Sequence, residues 1–80
     1  MFDATSLDKL ITTKMPFGKF EGLKLYKLPV SYLEWFQRKG FPTGKLGMLL
    51  ETMLVIKSNG LDHLLYPLIK KHETSFRSHS

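Results

Sequence analysis

Apolar side chains recur at helical spacing over much of the chain. The clearest case covers residues 44–58, where a helix face follows the i, i+3, i+4, i+7, i+8 rule: Leu46, Leu49, Leu50, Met53 and Leu54. Met48, Val55 and Ile56 widen this face until few polar positions remain. We therefore expect a helix that is buried on most sides, either inside the domain or partly in a dimer interface.

Weaker patterns predict three more helices. Residues 30–39 also have an apolar face, and Pro29 before them suits the first turn of a helix, where its missing N–H costs nothing. A last helix is expected to begin near Leu61, and Pro67 should kink it or split it into two pieces. Residues 3–12 favour a short additional helix.

The segment between the first two predicted helices has a different pattern. Pro16 is incompatible with a helix interior, and the glycines Gly18 and Gly22 are typical of turns. Apolar and polar residues alternate after the second glycine. We therefore expect residues 14–17 and 23–26 to pair as a small β-hairpin, whose apolar side must lie on helices because two isolated strands are barely stable in water.

The predicted fold class is thus α+β: a small β-hairpin packed on three main helices, preceded by a short N-terminal helix. A chain of 80 residues suits a single small globular domain, which we expect over residues 1–72, with a flexible C-terminal tail over residues 73–80. The absence of cysteine favours a reducing compartment, and the first residues lack the basic and apolar runs of a signal peptide. No apolar stretch approaches the roughly 20 residues of a membrane span, so we expect a cytoplasmic protein that does not enter a membrane.

The positive charge is concentrated in the middle of the chain. The net charge is +5, and residues 14–45 hold seven of the 12 basic residues but only two of the seven acidic ones. Charge asymmetry of this kind indicates polyanionic partners. It says nothing about the fold.

The residues that could support catalysis or bind a metal are dispersed. Hydrolysis with divalent ions requires carboxylates that converge on the ion. The seven acids are spread along the chain, and no pair of them has the spacing typical of a metal site. His63 and His72 are more than two helical turns apart, too far to share one ion. Gly44 and Lys45 do not form a phosphate loop, because the required glycine-rich spacing is missing. We therefore expect no enzyme activity, no cofactor and no metal.

The first functional hypothesis is a nucleic-acid-binding surface formed by the predicted hairpin and the helix after it. Cations on one ridge can contact phosphates without reading sequence, and an aromatic side chain can stack on an unpaired base. The candidate residues are Lys19, Lys24, Lys27, Trp35, Arg38, Lys39 and Lys45. Tyr32, Phe20 and Phe41 are further candidates for stacking. In a small domain, however, packing in the core is the favoured explanation for Tyr32 and Trp35, whereas Phe20 between two turn glycines suits either role.

A second functional hypothesis assigns an interaction surface to the 44–58 helix. Its broad apolar face, including Met48 and Val55, would serve a protein–protein interaction or a homodimer. The sequence thus leaves nucleic acid, another protein or a second copy of the chain as partners of a non-catalytic binding module.

Several short motifs resemble those of a known family, over about residues 13–70: Met15-Pro16-Phe17-Gly18-Lys19-Phe20-Glu21-Gly22, Leu28-Pro29, Tyr32-Leu33, Trp35-Phe36, Lys39-Gly40-Phe41-Pro42, Gly44-Lys45-Leu46-Gly47, Asn59-Gly60-Leu61, Leu64-Leu65 and Pro67-Leu68. The resemblance is to short uncharacterised bacterial proteins labelled "putative quorum-sensing-regulated virulence factor". That label implies regulation and no chemistry, and it assigns no functional residues.

A partial resemblance, over about residues 14–39, links the chain to a carboxy-terminal appendage of exonuclease-like DNA repair proteins. In those proteins the appendage looks like a substrate-binding accessory that is separate from the nuclease. This second resemblance implies contact with nucleic acid.

Overall fold

Four α-helices build the part of the molecule that the structure describes. The computed structural model describes the backbone of residues 4–77 and the side chains of residues 7–71. The helices are α1 (Ala4–Thr12), α2 (Val30–Lys39), α3 (Lys45–Ser58) and α4 (Tyr66–Arg77). Two short 3-10 turns, Leu25–Lys27 and Asp62–Leu64, precede α2 and α4 respectively.

Helix α3 is the centre of the packing. It lies against α1, α2 and the first 3-10 turn, while α4 packs on α1. Side chains from α1, α2, α3, the first 3-10 turn and the connecting segments form one buried apolar core: Leu10, Ile11, Met15, Leu25, Leu28, Leu33, Phe36, Leu49, Leu50, Met53, Leu54, Ile56 and Leu65. The broad apolar face predicted for the 44–58 helix is therefore explained mainly by its position between several neighbours.

The α+β prediction is wrong, because the fold is mainly α and no strand or sheet occurs within residues 4–77. A single antiparallel bridge joins Lys14 and Lys24, where Met15 N–H donates to the Leu23 carbonyl and Leu25 N–H donates to the Thr13 carbonyl. The chain turns into a 3-10 conformation directly after this bridge. The pairing cannot continue as a hairpin, because the segment after Lys24 leaves the extended conformation.

The loop that replaces the hairpin contains two tight turns. Glu21 N–H donates to the Gly18 carbonyl at 3.1 Å, and Leu23 N–H donates to the Phe20 carbonyl at 3.0 Å. Gly18 and Gly22 have φ values of +81° and +89°, which side chains on L-residues disfavour. The two glycines correctly predict these turns. The turns include residues that a longer strand would require, so only a single bridge forms.

Pro67 lies in the first turn of α4, where a proline is tolerated, and a separate 3-10 turn precedes that helix. The last apolar segment is thus split into two pieces. Helix α4 continues into the predicted tail as far as Arg77, while residues 78–80 lie outside the described part of the chain. The proposed domain limits stay a prediction. No helix within residues 4–77 is both long enough and apolar enough to cross a membrane.

Candidate functional site

The loop between α1 and α2 packs beside α2 and leaves a groove of about 550 Å³. Residues 17–20 of the loop form one wall. The other wall comes from α2, where Ser31, Trp35 and Arg38 follow i, i+4, i+7 spacing and so share one side of the helix. The groove therefore runs along the helix axis.

Aromatic rings dominate the lining, and Tyr32 is at their centre. Its ring meets the Phe20 ring edge-on at 4.7 Å between centroids and the Phe36 ring edge-on at 5.1 Å. The Trp35 ring lies 6.3 Å from it and is parallel to it within 2°. These geometries are the favourable ones for aromatic pairs, so they fix the planes of Tyr32 and Trp35.

The aromatic cluster is anchored in the core from behind. Phe36 is only 6% exposed, and its ring packs edge-on against Trp35 at 5.1 Å. On another side, Phe36 stacks with Phe41 of the α2–α3 connection at 6.3 Å. The groove thus has a closely packed base that is continuous with the interior of the domain.

Two aromatic residues remain open to solvent at the groove. Trp35 is 43% exposed and Phe17 is 44% exposed, although both are large apolar side chains. A small domain gains stability by burying such groups, so leaving them on one groove lowers the attainable stability. Exposed aromatics beside each other are typical of binding surfaces.

Cations lie at the groove and acids do not. Lys19 comes from the loop, and its Nζ lies 5.6 Å from the Phe20 ring centroid, within the range of a cation–π interaction. Arg38 comes from the last turn of α2. No acidic residue is found among the described residues that line the groove. The groove therefore combines positive charge with flat apolar faces.

Three of the seven predicted site residues meet at this groove: Lys19, Trp35 and Arg38. Lys24 is half-buried in the bridge with Lys14, and the Lys27 Nζ lies 5.8 Å from the ring centroid of Tyr26.

The other two predicted cations occupy helix ends. Lys39 is the exposed last residue of α2, and Lys45 is the exposed first residue of α3. Neither lines the groove. A joint role of all seven residues stays a prediction.

Sequence reasoning did not single out Phe17 or Ser31, both of which line the groove. Phe17 stands between a proline and a glycine. An aromatic residue in such a turn is a usable signal, because turns are exposed and bury little apolar surface. Ser31 has no comparable signal. Its place in the groove follows only from its position one helical turn before Trp35.

Within the described residues, no three His, Asp or Glu side chains are grouped closely enough to hold a metal ion.

Comparisons with known proteins agree on the family. The family model described as "Putative quorum-sensing-regulated virulence factor" matches residues 3–68. Two curated relatives are each 51% identical over 63 residues, which is 78% of this chain and 88% of the relative. They are named "Uncharacterized protein YpeB", one from Escherichia coli strain K12 and one from Escherichia coli O157:H7. No solved structure matches the chain. The chain belongs to the family described as "putative quorum-sensing-regulated virulence factor".

Proposed function

We propose that this protein is a non-catalytic module that contacts the backbone of nucleic acid at the groove beside α2. The proposal rests on one observation: Lys19 and Arg38 line the groove together with five aromatic side chains, and no acid is present among the described lining residues. Phosphates are attracted to such a surface, and arginine can bind them through two parallel hydrogen bonds. The net charge of +5 adds long-range attraction to the same ligand.

The non-catalytic part of the proposal follows from the dispersal of acids and histidines along the sequence. We propose a cytoplasmic location, because nucleic acid is present there and a chain without cysteine needs no oxidising compartment.

The test is binding of a fluorescently labelled oligonucleotide, followed by anisotropy at several salt concentrations. We expect binding at low salt that weakens steeply between about 50 mM and 200 mM, because bound phosphates release counterions. Arg38→Gln should weaken binding and should lower the salt slope by about 0.7 for a single strand. Absence of binding at the lowest salt would contradict the proposal.

Lys71→Gln is the matched control. Lys71 is exposed on α4 and lies outside the groove lining. Its substitution removes one unit of positive charge, as Arg38→Gln does. If both variants lost affinity equally, then net charge alone would govern binding, and the groove would not be the contact surface.

A second candidate function is a protein–protein interaction or a homodimer through α3. Met48 is 67% exposed and Val55 is 41% exposed, seven residues apart and therefore on the same side of the helix. The other apolar residues of α3 are mostly buried in the core, so Met48 and Val55 form a small exposed patch to which a partner could bind. Sedimentation at increasing concentration tests it: association that Met48→Glu abolishes without unfolding would support it, and a monomer throughout would exclude the homodimer.

A further inference from the structure

The shape of the groove limits which nucleic acids can use its aromatic side chains. Trp35 is held edge-on by the buried Phe36 and parallel to Tyr32, and it is still 43% exposed. A ring that is fixed from behind and open in front loses little conformational freedom when a second flat group stacks on it. The open indole is therefore preorganised for stacking.

The two cations of the groove come from its two walls. Arg38 follows Trp35 by three residues, so it lies about one helical turn further along the same side of α2. Lys19 belongs to the loop that forms the opposite wall. A ligand that covers Trp35 thus has one positive side chain on each wall of the same groove, which suits a chain with flat bases joined by phosphates.

We propose that the groove takes a short single-stranded segment of nucleic acid, with an unpaired base stacked on Trp35 and the adjoining phosphates bound by Arg38 and Lys19. This inference rests on the proposed function and makes it narrower. A duplex presents phosphates to Arg38 and Lys19, but its bases are stacked on one another and cannot offer a face to Trp35. Backbone contact alone would accept both forms, whereas stacking selects the single strand.

The length of the segment follows from the helix. Ser31 and Arg38, the first and last α2 residues of the groove, are separated by about 10 Å at 1.5 Å per residue. One strand of stacked nucleic acid rises about 3.4 Å per nucleotide. A base that stacks on Trp35 is separated from its neighbour, so the rise is at least this large. The groove therefore covers at most about three nucleotides, and longer strands gain affinity mainly through the surrounding charge.

The experiment measures anisotropy of a labelled oligothymidine of about ten nucleotides at low salt, with unlabelled duplex of equal length and polyglutamate as competitors. We expect the single strand to bind more tightly than either competitor. Trp35→Ala should weaken binding by about 5-fold to 140-fold, the range that corresponds to loss of one stacked base. Trp35→Phe should retain part of the affinity, because a smaller ring still stacks.

Tyr66→Ala is the matched control, since Tyr66 is an aromatic side chain that is 62% exposed and lies outside the groove lining. It should bind as the wild type does. Circular dichroism of each variant separates loss of binding from loss of the fold. If Trp35→Ala did not fold, Trp35→Phe would carry the comparison.

The outcomes separate the two proposals. Equal binding of single strand and duplex, with no effect of Trp35→Ala, would overturn the single-strand inference and leave backbone contact standing. Polyglutamate that competed as well as the single strand would also overturn it. No binding of any oligonucleotide at low salt would overturn the proposed function and this inference together.

Discussion

Gly18→Ala tests the structural link between the loop and the aromatic cluster. Gly18 has a φ of +81°, and a Cβ built on it would lie 3.1 Å from the Tyr32 hydroxyl. Gly22 lies in the same loop with a φ of +89°, but a Cβ there would meet nothing within 4 Å. The two glycines therefore share the same backbone strain on substitution and differ in their contact with the groove.

The expected magnitudes follow from these two observations. A positive φ costs an L-residue about 1–2 kcal/mol, and alanine recovers about 0.4–1 kcal/mol by lowering the entropy of the unfolded chain. Each variant should thus lose about 1 kcal/mol of unfolding free energy, or about 4–8 °C in Tm for a domain of this size. In Gly18→Ala the Tyr32 hydroxyl must also shift by a few tenths of an ångström, which weakens the contacts of its ring with Phe20 and Phe36, each worth about 0.5–1.5 kcal/mol.

The assay compares thermal unfolding with oligonucleotide binding for the wild type and both variants. We expect similar Tm losses from the backbone term, with a further loss in Gly18→Ala. Oligonucleotide affinity should fall about fivefold in Gly18→Ala alone, the equivalent of roughly 1 kcal/mol. An equal loss of affinity in Gly22→Ala and Gly18→Ala, with both variants folded, would contradict this expectation. The contact with Tyr32 would then be irrelevant to the site.

Two further predictions concern the core that supports the groove. Leu50→Ala should lower the unfolding free energy by about 2–5 kcal/mol in urea denaturation, because Leu50 is fully buried, whereas Met48→Ala on the exposed side should change it by at most about 0.5 kcal/mol; equal losses would contradict the packing of α3. Gly47→Ala should destabilise by about 1–3 kcal/mol, since its Cβ would overlap the Pro42 carbonyl. Alanine has a higher helix propensity than glycine and would by itself raise the urea midpoint. A raised midpoint in Gly47→Ala would therefore show that the backbones at Gly47 and Pro42 are not in close contact.

The helices were predictable because helical periodicity is a local signal. Helix α3 carries its whole pattern within its own 14 residues. Helix α2 is likewise marked by an apolar face and by the proline and glycine at its ends. What the sequence could not show is why the face of α3 is so broad. That breadth reflects contacts with α1 and the first 3-10 turn, which are distant along the chain, in addition to those with the neighbouring α2.

The hairpin prediction failed for a reason that lies outside local propensity. Residues 14 and 24 do pair, as an antiparallel bridge. Leu25 and Leu28 are then both fully buried, and a 3-10 turn places them in the core more directly than an extended strand would, because successive strand residues point to opposite faces. Burial of these leucines outweighs the alternating pattern.

The candidate site was predictable only in part. Trp35 and Arg38 share one side of a helix, and their relation follows from spacing alone. Lys19 joins them because the loop folds back on α2, a tertiary contact that no local pattern encodes. The same contact brings Phe17 to the groove. Lys39, the last residue of α2, and Lys45, which follows closely in sequence, lie outside the groove lining.

Fluorescence of the single tryptophan tests the central claim most directly. The chain contains one tryptophan, Trp35, so any change in indole emission reports on this groove alone. Titration with oligothymidine at low salt should quench the emission to a saturating limit, in step with the anisotropy of the labelled strand, and added salt should reverse the quenching. Emission that stays constant while the labelled strand binds would show that nucleic acid occupies another surface.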